Sequence, residues 1–180
     1  MRERTLGDGA ALRLLEERDA APLYALIDAN RAYLRQWLPW VDKEQSPNTT
    51  RAFLRAAQQQ FADKRGGQYG IWQHGQLAGV VGQHPIDWAN RACALGYWLG
   101  AAYQGRGLVT RACRALVSHA VRDLGLHRVE IRAATGNHRS RAIAERLGFR
   151  QEGVLRDAEW LYDHYVDLVV YAMLAPEWQA

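Results

Sequence analysis

The chain has 180 residues, 48% of them hydrophobic, and a formal net charge of +4. That length suits a single domain over residues 1–180 with a buried core, and the apolar share excludes wholesale disorder. The charge suits an anionic ligand or an acidic partner, but 23 basic residues are interspersed with 19 acidic ones, a balance too even to argue nucleic acid.

A first strand is expected over residues 11–15, where Leu12, Leu14 and Leu15 fall. Asp19 then stands where a helix N-cap belongs, with Pro22 tolerated in the first turn. Leu23, Leu26, Ile27 and Leu34 give this helix an apolar face, and Pro39 stops it. Trp37-Leu38-Pro39-Trp40 reads as a packed corner or as an aromatic wall over an acceptor site. Ser46-Pro47-Asn48-Thr49 caps a second helix, residues 50–64, with Phe53, Leu54, Ala57 and Phe61 on one face. Strands at 68–73, 76–86 and 92–99 come next, joined by turns at His74-Gly75 and Asn90-Arg91. Such short connections predict antiparallel pairing.

Residues 95–110 hold the densest signal: a bulky strand end, Tyr97-Trp98-Leu99-Gly100, a glycine-spaced turn, Gln104-Gly105-Arg106-Gly107, and a helix start. The helix carries Val109, Ala112, Cys113, Leu116, Val117, Ala120 and Leu124 at helical spacing and is closed by Gly125. A strand at 129–133, a helix at 140–147 preceded by Asn137 and closed by Gly148, and strands at about 151–161 and 164–174 complete the chain. Cys93 and Cys113 fall on a strand and a helix, without metal-pair or redox spacing, so both are expected as buried thiols. The charged start, Met1-Arg2-Glu3-Arg4-Thr5, leads into no apolar segment of signal-peptide length. No run reaches the ~18 apolar residues a membrane helix needs. A cytoplasmic protein without membrane or metal is the expectation.

Strand, glycine turn and helix start together make an anion site, because glycines let backbone N–H groups converge where the helix adds unpaired donors. A P-loop would need lysine and then serine or threonine after the last glycine, where Leu108 and Val109 stand. A dinucleotide fingerprint would need a third glycine where Thr110 stands, and the preceding strands read as a meander rather than an alternating fold. A third reading, the pyrophosphate loop of coenzyme A, rests on a family resemblance.

Gln104-Gly105-Arg106-Gly107-Leu108-Val109 resembles the Gln/Arg-x-x-Gly-x-Gly/Ala signature of the GCN5-related N-acetyltransferases (GNAT). Leu95-Gly96-Tyr97-Trp98-Leu99 is similar to the strand before that loop, and Asn137-His138-Arg139-Ser140 through Leu147-Gly148-Phe149 to a later segment. Gln151-Glu152-Gly153-Val154-Leu155-Arg156, Ala158-Glu159-Trp160 and Asp167-Leu168-Val169-Val170-Tyr171-Ala172 resemble the RimJ/RimL branch, which acetylates N-terminal α-amines of ribosomal proteins. The resemblance implies an α/β (α+β) GNAT fold: a mixed, mostly antiparallel sheet of about seven strands flanked by about four helices. It also leaves room for a homodimer.

It further implies direct transfer from acetyl-CoA to an amine, with no covalent acetyl-enzyme. Backbone amides of Tyr97, Trp98 and Leu99 would hold the pantetheine arm and polarise the thioester. Amides of Gln104, Gly105, Arg106, Gly107, Leu108, Val109 and Thr110 would cradle the pyrophosphate, and Asn137 would contact the cofactor. Arg106, Arg111 and Arg139 could add charge or simply be solvated. Glu159 matches the acid placed beside the acceptor amine, with Asp157, Asp163 and Asp167 as nearby competitors; Asp167 more naturally anchors the final hairpin. Many relatives carry a thiolate-binding tyrosine where Ala144 stands here. Ser140 matches the serine of the RimJ/RimL branch and could equally cap its helix.

An α-amine with a pKa near 7.8 costs only about 1 kcal/mol to deprotonate at pH 7, whereas lysine costs about 4–5 kcal/mol. One carboxylate therefore suffices for an α-amine, and the resemblance implies one at a protein N-terminus beginning with serine or alanine. That is the leading acceptor, and an acidic ribosomal protein would suit the basic chain. A small amine such as an aminoglycoside or polyamine is the alternative, and a non-catalytic acyl-CoA-binding module a third reading.

Overall fold

In a computed structural model, described here over residues 1–179, the chain forms one eight-stranded sheet in the order β1-β2-β3-β4-β5-β6-β8-β7. Its strands are β1 (Glu3–Gly7), β2 (Ala10–Leu14), β3 (Gly67–Gln73), β4 (Gln76–Gln83), β5 (Ala92–Leu99), β6 (Arg128–Ala134), β7 (Arg150–Leu161) and β8 (His164–Leu174). Every neighbouring pair is antiparallel except β5 and β6, which are parallel and bracket the helix α4 (Leu108–Ser118). The strand beyond the expected seven is β1. Its five residues, Glu-Arg-Thr-Leu-Gly, are mostly exposed and carry no apolar alternation, so a charged terminus is all they announce in sequence.

The two faces of the sheet come from the alternation of β5. Cys93, Leu95, Tyr97 and Leu99 point into the core under α4, with Leu108, Ala112, Cys113 and Leu116. Val80 and Trp98 instead join the cluster under α1 (Ala20–Ala29) and α3 (Pro47–Ala62), with Leu23, Ile27 and Leu54. Both cysteines are free and buried. At the β3–β4 turn His74 and Gly75 have φ of 48° and 78°, the pair of positive values a tight hairpin requires, and Gln73 pairs with Gln76 across it.

Several boundaries differ from expectation for local reasons. The first helix does not run on to Pro39: it breaks at Asn30 into α1 and the four-residue α2 (Arg31–Leu34), which makes five helices with α5 (His138–Arg146). Asn30 donates to Leu26 O at 2.8 Å and accepts from the Ala101 N–H at 2.8 Å, so its side chain ties the helix end to the segment after β5. Phe53 is 41% exposed rather than packed with Leu54, because it borders an open cleft. The strand expected to reach residue 86 ends at Gln83. Beyond α4 the chain makes one turn of π-helix, His119–Asp123, before Gly125 closes it at φ 66°. Among the described residues no helix is long and apolar enough to cross a membrane.

Candidate active site

A cleft of about 1810 Å³ runs through the molecule where β5 and β6 part. The two strands pair only from Ala92↔Arg128 to Leu95↔Ile131. Beyond that point β5 continues on β4 to Leu99, while β6 continues on β8 to Ala134. The gap leaves half of the last β5 backbone unpaired. His84 N donates to Ala94 O and Gly100 N to Ala78 O, so even-numbered residues of β5 bond to β4. Tyr97 and Leu99 therefore turn their N–H and C=O groups into the gap. Trp98 is a correction to the sequence reading: its backbone belongs to the β4 ladder, and what it offers the cleft is an indole 6.2 Å from that of Trp40.

The glycine turn closes one end. Gly105 and Gly107 have φ of 75° and 68°, and a Cβ on either would meet nothing within 4 Å. A loop held in this conformation, strained for most other residues, over open space is a cradle of N–H groups. Gly107 is the N-cap of α4, and the first helical bond there runs from Arg111 N to Gly107 O at 3.0 Å. The N–H groups of Leu108, Val109 and Thr110 are thus free of helix partners and line the cleft side.

The expected arginines divide. Arg106 folds back, donating to Ala102 O at 3.0 Å and lying 5.7 Å from the Tyr103 ring, so only its backbone belongs to the loop. Arg139 crosses from α5 to donate to Gln104 Oε1 at 2.7 Å, fixing the loop against the helix start. Arg111 is anchored to Asp8 Oδ2 at 2.6 Å, yet among the described residues its buried Nε has no partner. An orphaned guanidinium nitrogen beside the cradle suits an anion.

On the facing wall Asn137 caps α5 by accepting from Ser140 N at 3.1 Å, which removes the cap role from Ser140 and commits Asn137 Oδ1. Ser140 Oγ donates instead to the Tyr97 hydroxyl at 3.2 Å, and that hydroxyl donates to Ser140 O at 3.0 Å. Ala144 is fully buried and lies outside the cleft.

Glu159 closes the other end. The β7–β8 register jumps between Leu155↔Leu168 and Glu159↔Val166, and the bulge holds Asp157 at φ 47°. Glu159 lines the cleft half-buried, with no ion-pair or hydrogen-bond partner among the described residues, and burial pushes its carboxyl above the ordinary value of 4.5. Asp163 is exposed and bonded to His164, and Asp167 holds the bulge, so neither competes for the cleft. Asn30, His84 and the Tyr97 hydroxyl escaped the sequence reading. Only the glycine at position 96, over which His84 Nε2 would meet an added Cβ at 2.7 Å, hints at a ring seated there.

The profile of the Acetyltransferase (GNAT) domain family matches residues 10–150. The chain belongs to the GNAT acetyltransferases. It is 39% identical over 169 residues to YdaF of Bacillus subtilis (strain 168), covering 93% of this chain and 92% of that one. To the ribosomal-protein-serine acetyltransferase of Escherichia coli (strain K12) it is 31% identical over 169 residues, 94% of each chain. Its structure matches that of RimL, a ribosomal L7/L12 alpha-N-protein acetyltransferase in complex with coenzyme A, with a TM-score of 0.93 at 29% identity, covering 96% of this chain and 98% of RimL.

This N-acetyltransferase therefore uses acetyl-CoA, and its residues fit the cosubstrate. The open cradle at Gly105 and Gly107 and the orphaned Arg111 nitrogen suit the phosphates. The unpaired edge of β5 suits an extended arm carrying amides, which could add to the sheet as a short strand.

Proposed function

We propose that this acetyltransferase acts on the α-amine at a protein N-terminus, that of a ribosomal protein beginning with serine or alanine, in the cytoplasm. The observation that carries the proposal is Glu159: one unpaired, half-buried carboxylate, in the same cleft as the β5 edge. The relatives named for ribosomal proteins support the acceptor class. The branch also allows a homodimer, which sedimentation of the purified protein decides.

Acetyl-CoA supplies an activated thioester, so the chain's own residues have three tasks. The N–H groups of Tyr97 and Leu99 are the donors available to align the arm and polarise the carbonyl. Glu159 accepts the proton lost by the attacking amine. Its raised pKa narrows the gap to an α-amine near 7.8, so the proton moves less steeply uphill than to an ordinary carboxylate. Ser140 Oγ offers a hydrogen bond to the departing thiolate, and the phosphate cradle with Arg111 and Arg139 holds the nucleotide end.

Intact-mass analysis of ribosomal proteins from cells with and without the gene tests the acceptor. At least one protein should lose an N-terminal acetyl group of about 42 Da without the gene. No change in any ribosomal protein, together with turnover on free polyamines or aminoglycosides, would replace the acceptor by a small amine. Cofactor binding without turnover on any amine would leave a binding module.

A further inference from the structure

Tyr97 stands on β5 with its side chain in the core under α4 and its hydroxyl against Ser140, a residue of the cleft wall. That hydroxyl meets two atoms of one residue: the carbonyl oxygen of Ser140 at 3.0 Å and its Oγ at 3.2 Å. We propose that Tyr97 is a positioning residue for the acetyl-transfer reaction, acting through Ser140 to aim its hydroxyl hydrogen at the departing sulfur. This role rests on the thiolate contact proposed for Ser140.

Counting hydrogens shows how the pair can work. A tyrosine hydroxyl has one hydrogen and can accept, and so can a serine hydroxyl. With Tyr97 donating to the Ser140 carbonyl, Ser140 Oγ spends its own hydrogen on Tyr97. Rotation of the tyrosine O–H onto Ser140 Oγ reverses this, and Ser140 Oγ becomes an acceptor from Tyr97 and a free donor toward the cleft. Both acceptors are already within reach, so no heavy atom has to move.

Neutral thioester sulfur is a poor acceptor and leaves the first arrangement in place. A thiolate is a strong one and draws the chain Tyr97 to Ser140 to sulfur into line, each bond polarising the next. The stabilisation therefore arises where charge develops and not in the ground state, as catalysis requires. Burial drives the Tyr97 hydroxyl far above its usual range, so it stays a donor throughout. Asn137 holds the other side of Ser140 through its backbone N–H, which keeps the serine within reach of the tyrosine.

Tyr97→Phe keeps the ring in the core and removes only the hydroxyl; its melting temperature should stay within a few degrees. Its kcat should fall about fivefold, the worth of one such hydrogen bond, with KM for acetyl-CoA nearly unchanged. In a Ser140→Ala background the same change should cost nothing further. Calorimetry supplies a readout apart from turnover. Wild-type preference for coenzyme A over its desulfo analogue should grow from about pH 6 to about pH 9 as the thiolate forms, and Y97F and S140A should weaken that growth alike.

If Y97F multiplies its loss onto S140A, or leaves kcat and the pH-dependent preference intact while S140A lowers both, the tyrosine does not act through the serine. If S140A itself changes neither, the serine role fails and the tyrosine proposal with it.

Discussion

The backbone N–H of Asp157 donates to Asp167 Oδ1 at 2.9 Å, and that bond sets the direction of Glu159. Asp157 sits at φ 47°, a conformation asparagine and aspartate tolerate better than most residues, and the bulge it makes puts Glu159 opposite Val166. Asp167 also accepts from Thr135 N through its backbone carbonyl at 3.0 Å, so the bulge is tied to the segment leaving β6.

Asp167→Ala should lower kcat about tenfold or more, because ångström-scale misplacement of a reacting group carries costs of that order. Asp167→Asn keeps an oxygen acceptor and should restore most of the rate. Steady-state kinetics beside acetyl-CoA binding checks this: a loss confined to binding would show that the bulge serves the cofactor end instead.

As the proposed base, Glu159 should set the acid limb of activity. Its folded pKa lies above 4.5, so kcat/KM should rise with pH through a point higher than an ordinary carboxylate, then with the amine's own titration. Glu159→Gln should cost about 10²–10⁴ in kcat/KM and erase the lower inflection. The sign for stability is opposite. A raised folded pKa means the folded state binds the proton more tightly, so this group's contribution falls as pH rises through that window, and the cost is fully present above the folded pKa. E159Q should therefore melt at the same temperature as wild type or higher at about pH 8; a clear drop would mean the carboxylate has a partner in solution.

Gly107→Ala should weaken coenzyme A binding about tenfold or more while lowering stability by only about 1 kcal/mol. The added methyl meets no protein atom within 4 Å, so the strain of φ 68° is the whole folding cost, and the methyl intrudes only on a ligand in the cradle. Titration calorimetry set against urea unfolding separates the two.

Asn30→Ala should cost about 1–2 kcal/mol by urea unfolding, since it leaves the Ala101 N–H without the acceptor it has at 2.8 Å. Because Asn30 joins α1 to the segment between β5 and the cradle, its loss should also raise KM for acetyl-CoA.

Neither thiol should react with a chromogenic disulfide in the folded protein. Cys93 and Cys113 are buried, and burial holds both thiol pKa values above the ordinary range, so thiolate is scarce as well as shielded. Both should label in denaturant, and a thiol titrating rapidly in buffer would contradict this packing.

The glycine cradle was legible in sequence because its conformation is local: positive φ at Gly105 and Gly107 needs only glycine, and the helix start needs only the apolar spacing from Leu108 onward. Most helix and strand positions were legible for the same reason, through apolar spacing. The break at Asn30 was not, since no proline or glycine stops a helix there; the side chain bonds back to Leu26 O and is claimed by an N–H some seventy residues away. Likewise Phe53 has the right spacing for the core, but it borders the cleft, where no second layer packs over it.

From the order of its residues alone, this chain determined an anion cradle at a helix start and two closed thiols; resemblance added Ser140 and Glu159 as the expected residues of an acetyl-transfer site. Tertiary structure decided which groups could act. Strand alternation gave the free backbone to Tyr97 and Leu99 and withheld it from Trp98, and a parting of two parallel strands opened the gap. The bulge at Asp157 turned Glu159 into the cleft, and the approach of α5 to β5 put two hydroxyls in contact. Each depends on register and on contacts between distant segments, which residue spacing does not carry.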